Sequence, residues 1–152
     1  MTATMDPHGP IPASGIETLA DRAAICELAK VYALGIDSRD EAMVRSVFSP
    51  DAPMRGTLGE APAHEYIPQL LAGVSNYEAT MHNITNQYAT VDGDEAEVWS
   101  YAVAIHLAAP GTDQTDLTMG VQYRDRCSRT ADGWLISGRE TVKLWARGPL
   151  PQ

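Results

Sequence analysis

The chain has 152 residues, 44% apolar and 20% charged, which is the composition of one globular domain with enough material for a sizeable core. A formal net charge of −9 with no run of Lys or Arg argues against nucleic acid as a partner. No stretch is long and apolar enough to span a bilayer, and the N-terminus lacks the basic and apolar regions of a signal peptide, so a cytoplasmic protein with no membrane partner is expected.

Residues 1–15, rich in Pro, Gly and small polar residues, are expected to form an N-terminal tail, and 148–152 a C-terminal one, leaving 16–147 as the domain. From Ile16 to Ile36 the residues Ile25, Leu28, Val31, Tyr32 and Ile36 recur at three- and four-residue steps, with Glu27 and Lys30 opposite; this predicts an amphipathic helix. It ends on an acid, Asp37. Ser38 stands three residues before Glu41, the spacing of a reciprocal helix cap, so a second helix is expected over 40–48, closed by Pro50 and Pro53. Gly56, Gly59 and Pro62 suggest a short strand and a loop, and a third helix is predicted over 63–74.

Beyond that point the pattern becomes that of strands. MHNITNQYATV, VDGD and EAEVWSYAVAIHLAA read as a hairpin, and LTMGVQYRDRCSRT, ADG and WLISGRETVKLWA repeat the plan. The expected fold is α+β: three helices followed by a four-strand antiparallel meander, curled over the helices into a cone with a pocket at its mouth. Cys26 and Cys127 have no CxxC or ligand spacing and read as buried thiols. The four histidines are scattered, so no metal site is expected.

Strict alternation would put His82, Ile84, Asn86 and Tyr88 on one face of the first long strand and Met81, Asn83, Thr85 and Gln87 on the other. Neither set is purely apolar, and an unpaired buried polar group costs about 1–3 kcal/mol, so partners are required. Asp37, at the end of the helix that covers the sheet, is a candidate partner for His82. A carboxylate on one imidazole nitrogen fixes the tautomer and leaves the other nitrogen to take a proton. Residue chemistry alone equally allows a plain helix end and a satisfied strand histidine.

The segments DRAAICELAKVYALGIDSRDEAMVRSVFSPDA, ATMHNITN, VDGDEAEVWSYAV and DGWLISGRETV resemble the SnoaL-like family of the nuclear-transport-factor-like cone superfamily, from about residue 16 to 146. The members it most resembles are hexachlorocyclohexane dehydrochlorinase, bile-acid 7α-dehydratase and scytalone dehydratase. That resemblance implies a lyase of dehydratase type needing no cofactor, acting on a small apolar cyclic or aromatic substrate, and a homo-oligomer, trimer or dimer. It places the family's acid on Asp37, its histidine on His82, the dehydratases' tyrosine on Tyr32 and a basic pocket residue on Arg139 or Lys143. Asn83, Asn86, Tyr66, Tyr101 and Met54 are the further candidates for lining the substrate site. The second histidine of scytalone dehydratase falls on Ala102, a departure that points to a single-histidine arrangement; His106 lies four residues on, His64 at the start of the third helix and His8 in the tail. An isomerase, a polyketide-type cyclase, a retro-aldol lyase, or a non-catalytic binding or assembly module would use the same fold.

Overall fold

The computed structural model describes residues 15–149. The N-terminal tail but for Gly15, and the last three residues of the C-terminal one, lie outside them, His8 included. In chain order the elements are α1 (Ile16–Ser38), α2 (Glu41–Arg45), β1 (Pro53–Gly56), β2 (Gly59–Pro62), α3 (Ala63–Val74), β3 (Ala79–Asp92), β4 (Glu95–Leu107), β5 (Leu117–Thr130) and β6 (Gly133–Arg147). The six strands form one curved, unclosed sheet in the order β2-β1-β6-β5-β4-β3.

Two expectations about this order are corrected. The sheet has six strands, because the segment after α2 makes a complete small hairpin whose first strand pairs parallel to β6 at Met54–Arg139 and Arg55–Glu140. The sheet is therefore mixed, and this hairpin precedes α3. The cap between α1 and α2 also differs from the Ser38–Glu41 expectation. The Ser38 hydroxyl donates back to Leu34 O at 2.7 Å, and the Asp40 carboxylate accepts from Met43 N at 2.9 Å. The helix thus runs on through Asp37 and Ser38 and stops at Arg39, whose left-handed backbone (φ 57°) lets its N–H reach the Gly35 and Ile36 carbonyls.

The stripe predicted on α1 is the buried one: Ile25, Leu28, Tyr32 and Ile36 pack against the sheet with Val44, Phe48, Ile67, Val98 and Ile136. Each fully buried aliphatic side chain contributes roughly 1.5–3 kcal/mol relative to exposure. Gly35 permits the close crossing of the two helices, since a Cβ there would lie 2.7 Å from Val44 Cγ2. Cys127 is buried and Cys26 half-buried, both as free thiols.

Strict alternation fails on β3. Its pairing with β4 shifts between Ile84 and Gln87, an irregularity that turns the strand over. Gln87 therefore points inward, donating to Cys26 O and Ser100 Oγ at 3.0 Å each, while Tyr88 is exposed. Upstream of the shift His82 keeps the inward orientation. Comparable shifts at Gly120/Val121 and Arg126/Cys127 in the pairing of β5 with β6 leave Arg139, Thr141 and Lys143 on the helix-facing side. Among the described residues no helix is long and apolar enough to cross a membrane.

Candidate functional site

Along its inner face the sheet carries a graded set of side chains, from a closed ion pair at the deep end to an open apolar mouth. At the deep end Arg139 Nε and Nη2 donate to the two Asp125 carboxylate oxygens at 2.6 and 2.7 Å. Both side chains are almost wholly enclosed, at 1% and 0% exposure. The guanidinium lies against the rings of Tyr32 (4.2 Å), Tyr123 (4.4 Å) and Phe48 (5.1 Å). Burial opposes its charge, but the Asp125 carboxylate beside it more than compensates, and the guanidinium is held charged. Asp125 faces Arg139 directly in the β5–β6 register.

The next layer is a pair of phenols. Tyr32 and Tyr123 meet edge to face at 5.5 Å, and their hydroxyls are hydrogen-bonded to one another. Burial pushes both phenols up, so they remain protonated. Two hydroxyl protons and one mutual bond leave one proton for a ligand.

Above the phenols lies an inner chamber of about 60 Å³, walled by Tyr32, Tyr123, Met54, Tyr66, His82 and His106 among others. The small residue Ala104 stands opposite His82 across the β3–β4 ladder, which keeps this space open. His82 Nδ1 is 2.7 Å from Asp37 Oδ1, the His82 backbone N–H donates to Asp37 Oδ2 at 2.8 Å, and the Thr80 hydroxyl donates to Oδ1 at 3.0 Å. Burial raises the Asp37 carboxyl, yet the bonds from the His82 side chain and backbone and from Thr80 together hold it below the usual carboxylate range. An ionised carboxylate only accepts, so Nδ1 carries the hydrogen of neutral His82 and Nε2 presents a lone pair. Among the described residues no hydrogen bond uses that Nε2.

A second imidazole stands beside the first. The His106 ring lies 5.5 Å from that of His82, and its Nδ1 contacts Leu117 O at 3.2 Å. A carbonyl can only accept, so here too Nδ1 is the protonated nitrogen. Burial first, and the neighbouring His82 second, depress the His106 pKa and keep the ring neutral. The departure noted at Ala102 is thereby offset, since Ala102, Ala104 and His106 share the inner face of β4 and the last of them supplies an imidazole to the same chamber. The sequence pointed to a single-histidine arrangement, and alternation along β4, which puts His106 on the face of Ala102 and Ala104, is the signal that could have found it. Thr80, Tyr123 and Asp125 carry no local motif, and only the pairing register reveals them.

The inner chamber shares Thr57, Leu70, Val74, His106 and Met119 with an outer one of about 230 Å³ that also touches Leu58, Tyr77 and Lys143. Of the sequence candidates, His82, Tyr32, Tyr66 and Met54 line the inner chamber with Asp37 bonded behind His82, and Lys143 stands at the outer one. Arg139 is corrected to a place behind the phenols, outside the lining of either chamber. Asn83 and Asn86 are exposed, Tyr101 lies on the far face of β4, and none of the three lines the cavity.

Residues 17–140 match the SnoaL-like domain. An uncharacterized protein of Mycobacterium tuberculosis (strain H37Rv) is 31% identical over 136 residues, covering 87% of this chain and 91% of that one. Among solved structures, the Kfla4162 protein of Kribbella flavida superimposes with a TM-score of 0.78 at 25% identity, covering 86% of this chain and 95% of the other. A hexachlorocyclohexane dehydrochlorinase of Novosphingobium barchaimii does so with a TM-score of 0.76 at 21% identity, covering 91% and 100% of the two chains. The second of these likenesses speaks to the fold alone, but the match to the domain spans most of the sequence: the chain belongs to the SnoaL-like family.

Proposed function

We propose that the protein is a cofactor-independent lyase that eliminates a small leaving group from an apolar cyclic or aromatic substrate, with His82 as general base. The observation that carries this reading is the fixed tautomer of His82: Asp37 occupies Nδ1, and Nε2 is left unpartnered at a cavity wall. His82 Nε2 takes a proton from the carbon next to the one bearing the leaving group. The C–H electron pair becomes the new double bond, and the leaving group departs with its own bonding pair as an anion. Asp37 stabilises the imidazolium so formed, and the Tyr32–Tyr123 pair has one hydroxyl proton to offer the departing anion. Arg139 acts on those phenols from behind, through their rings.

A general base of this kind is worth about 10²- to 10⁴-fold in rate. His82→Ala should therefore lose turnover by that factor while keeping its circular dichroism spectrum; full activity in a folded His82→Ala protein would sink the reading. The adjacent His106 favours a second reading, isomerisation, in which the proton taken at one carbon is returned at another. Product mass separates the two, since elimination removes the elements of the leaving group and isomerisation removes nothing.

A further inference from the structure

The outer chamber is walled chiefly by Leu58, Leu70, Val74, Leu117 and Met119. An apolar cavity of about 150 Å³ accepts a benzene ring, so its 230 Å³ holds a ring. The inner chamber, at about 60 Å³, admits only a substituent or an edge of that ring. The lone charged side chain on the outer chamber is Lys143, two residues beyond Thr141 on the inner face of β6.

Arg139, on the same face, is neutralised by Asp125. Lys143 takes part in none of the ion pairs among the described residues, although the chain carries an excess of nine negative charges. The inner chamber has the reverse polarity, with the imidazole lone pairs of His82 and His106 on its wall and the Asp37 carboxylate behind His82. An anionic group is repelled there and attracted at the mouth.

From this gradient we infer that the substrate is a compact ring acid, held with its carboxylate on Lys143 and its uncharged, reacting edge toward His82. The inference deepens the proposed elimination by naming its substrate class, and it is tested by binding alone, so that either can fail without the other.

The probes are 2-naphthoate and its uncharged counterpart 2-naphthamide, titrated into the full-length protein by calorimetry. The wild type should bind the acid about fivefold more tightly than the amide, as a partly exposed ion pair allows, and added salt should narrow that margin. Lys143→Met should erase the preference by weakening naphthoate binding alone, and Lys143→Glu should invert it. Equal affinities in the wild type, an equal loss of both ligands in Lys143→Met, or no saturable binding of naphthoate would each overturn the inference. Turnover in His82→Ala bears on the elimination and leaves this result untouched.

Discussion

Two acid–base pairs sit on the same face of one sheet, and they are built for opposite ends. Asp125–Arg139 has two short parallel bonds and aromatic rings against the guanidinium, and it lines neither of the two chambers. Asp37–His82 has one side-chain bond, an acid that is 25% exposed and a base with a nitrogen to spare. A doubly bonded pair enclosed in rings has no freedom to exchange protons with a ligand, whereas a singly bonded one at a cavity wall has. Composition does not distinguish them; the number of bonds and the access do.

The comparison breaks most readily at the deep pair. Arg139→Met leaves the Asp125 carboxylate buried without its partner and should cost about 3–5 kcal/mol, read as a fall in the urea midpoint. If Arg139→Met unfolds no more easily than the wild type, the deep pair is not structural. His82→Ala removes one of the three bonds to Asp37, since the backbone donor and Thr80 stay, and should cost about 1–2 kcal/mol in the same assay.

Gly35→Ala should move the helix that carries Asp37 without touching Arg139. The overpacked contact with Val44 costs about 1–3 kcal/mol, and turnover should fall along with stability. Thr80→Val removes one neutral donor from Asp37 and should cost about 0.5–1.5 kcal/mol.

Acid sharpens the contrast further. Asp37 has its folded pKa below the ordinary 3.8, so its stabilising contribution is complete above that value and is lost as the pH falls through the folded pKa. His106 is depressed below 6.5, so the unfolded chain takes up its proton first and stability declines as the pH drops from 6.5 to the folded pKa. Denaturation curves across this range should show the upper limb flattened in His106→Phe and the lower one in Asp37→Asn.

Much of this was legible in the sequence because it depends on short-range periodicity. Ile25, Leu28, Tyr32 and Ile36 mark the helix and its buried face, and the Asp92–Gly93 turn marks the first hairpin. Asp37 and His82 were candidates by their chemistry, but only the family resemblance favoured pairing them, since nothing local ties a helix end to a strand 45 residues on. What escaped depends on register. Tyr88 and Gln87 exchanged faces because one irregularity in β3 breaks the alternation, and Asp125 was unreadable as the partner of Arg139 until β5 and β6 were aligned. The small hairpin was ambiguous because each strand has four residues and little apolar content.

Arg39 shows how misleading a residue can be when judged by its backbone alone. Its left-handed conformation is one that glycine adopts without strain, at a cost to other residues of about 1–2 kcal/mol. A stability engineer would accordingly write Gly there. Yet its guanidinium donates to Asp37 O at 2.9 Å, to Tyr77 O at 3.0 Å and to Val74 O at 3.4 Å, lashing the helix that bears the acid to the end of α3 and the rim of the mouth. Arg39→Gly would relax one peptide and cut that strap, leaving a chain easier to fold locally and a carboxylate no longer anchored to the entrance it serves.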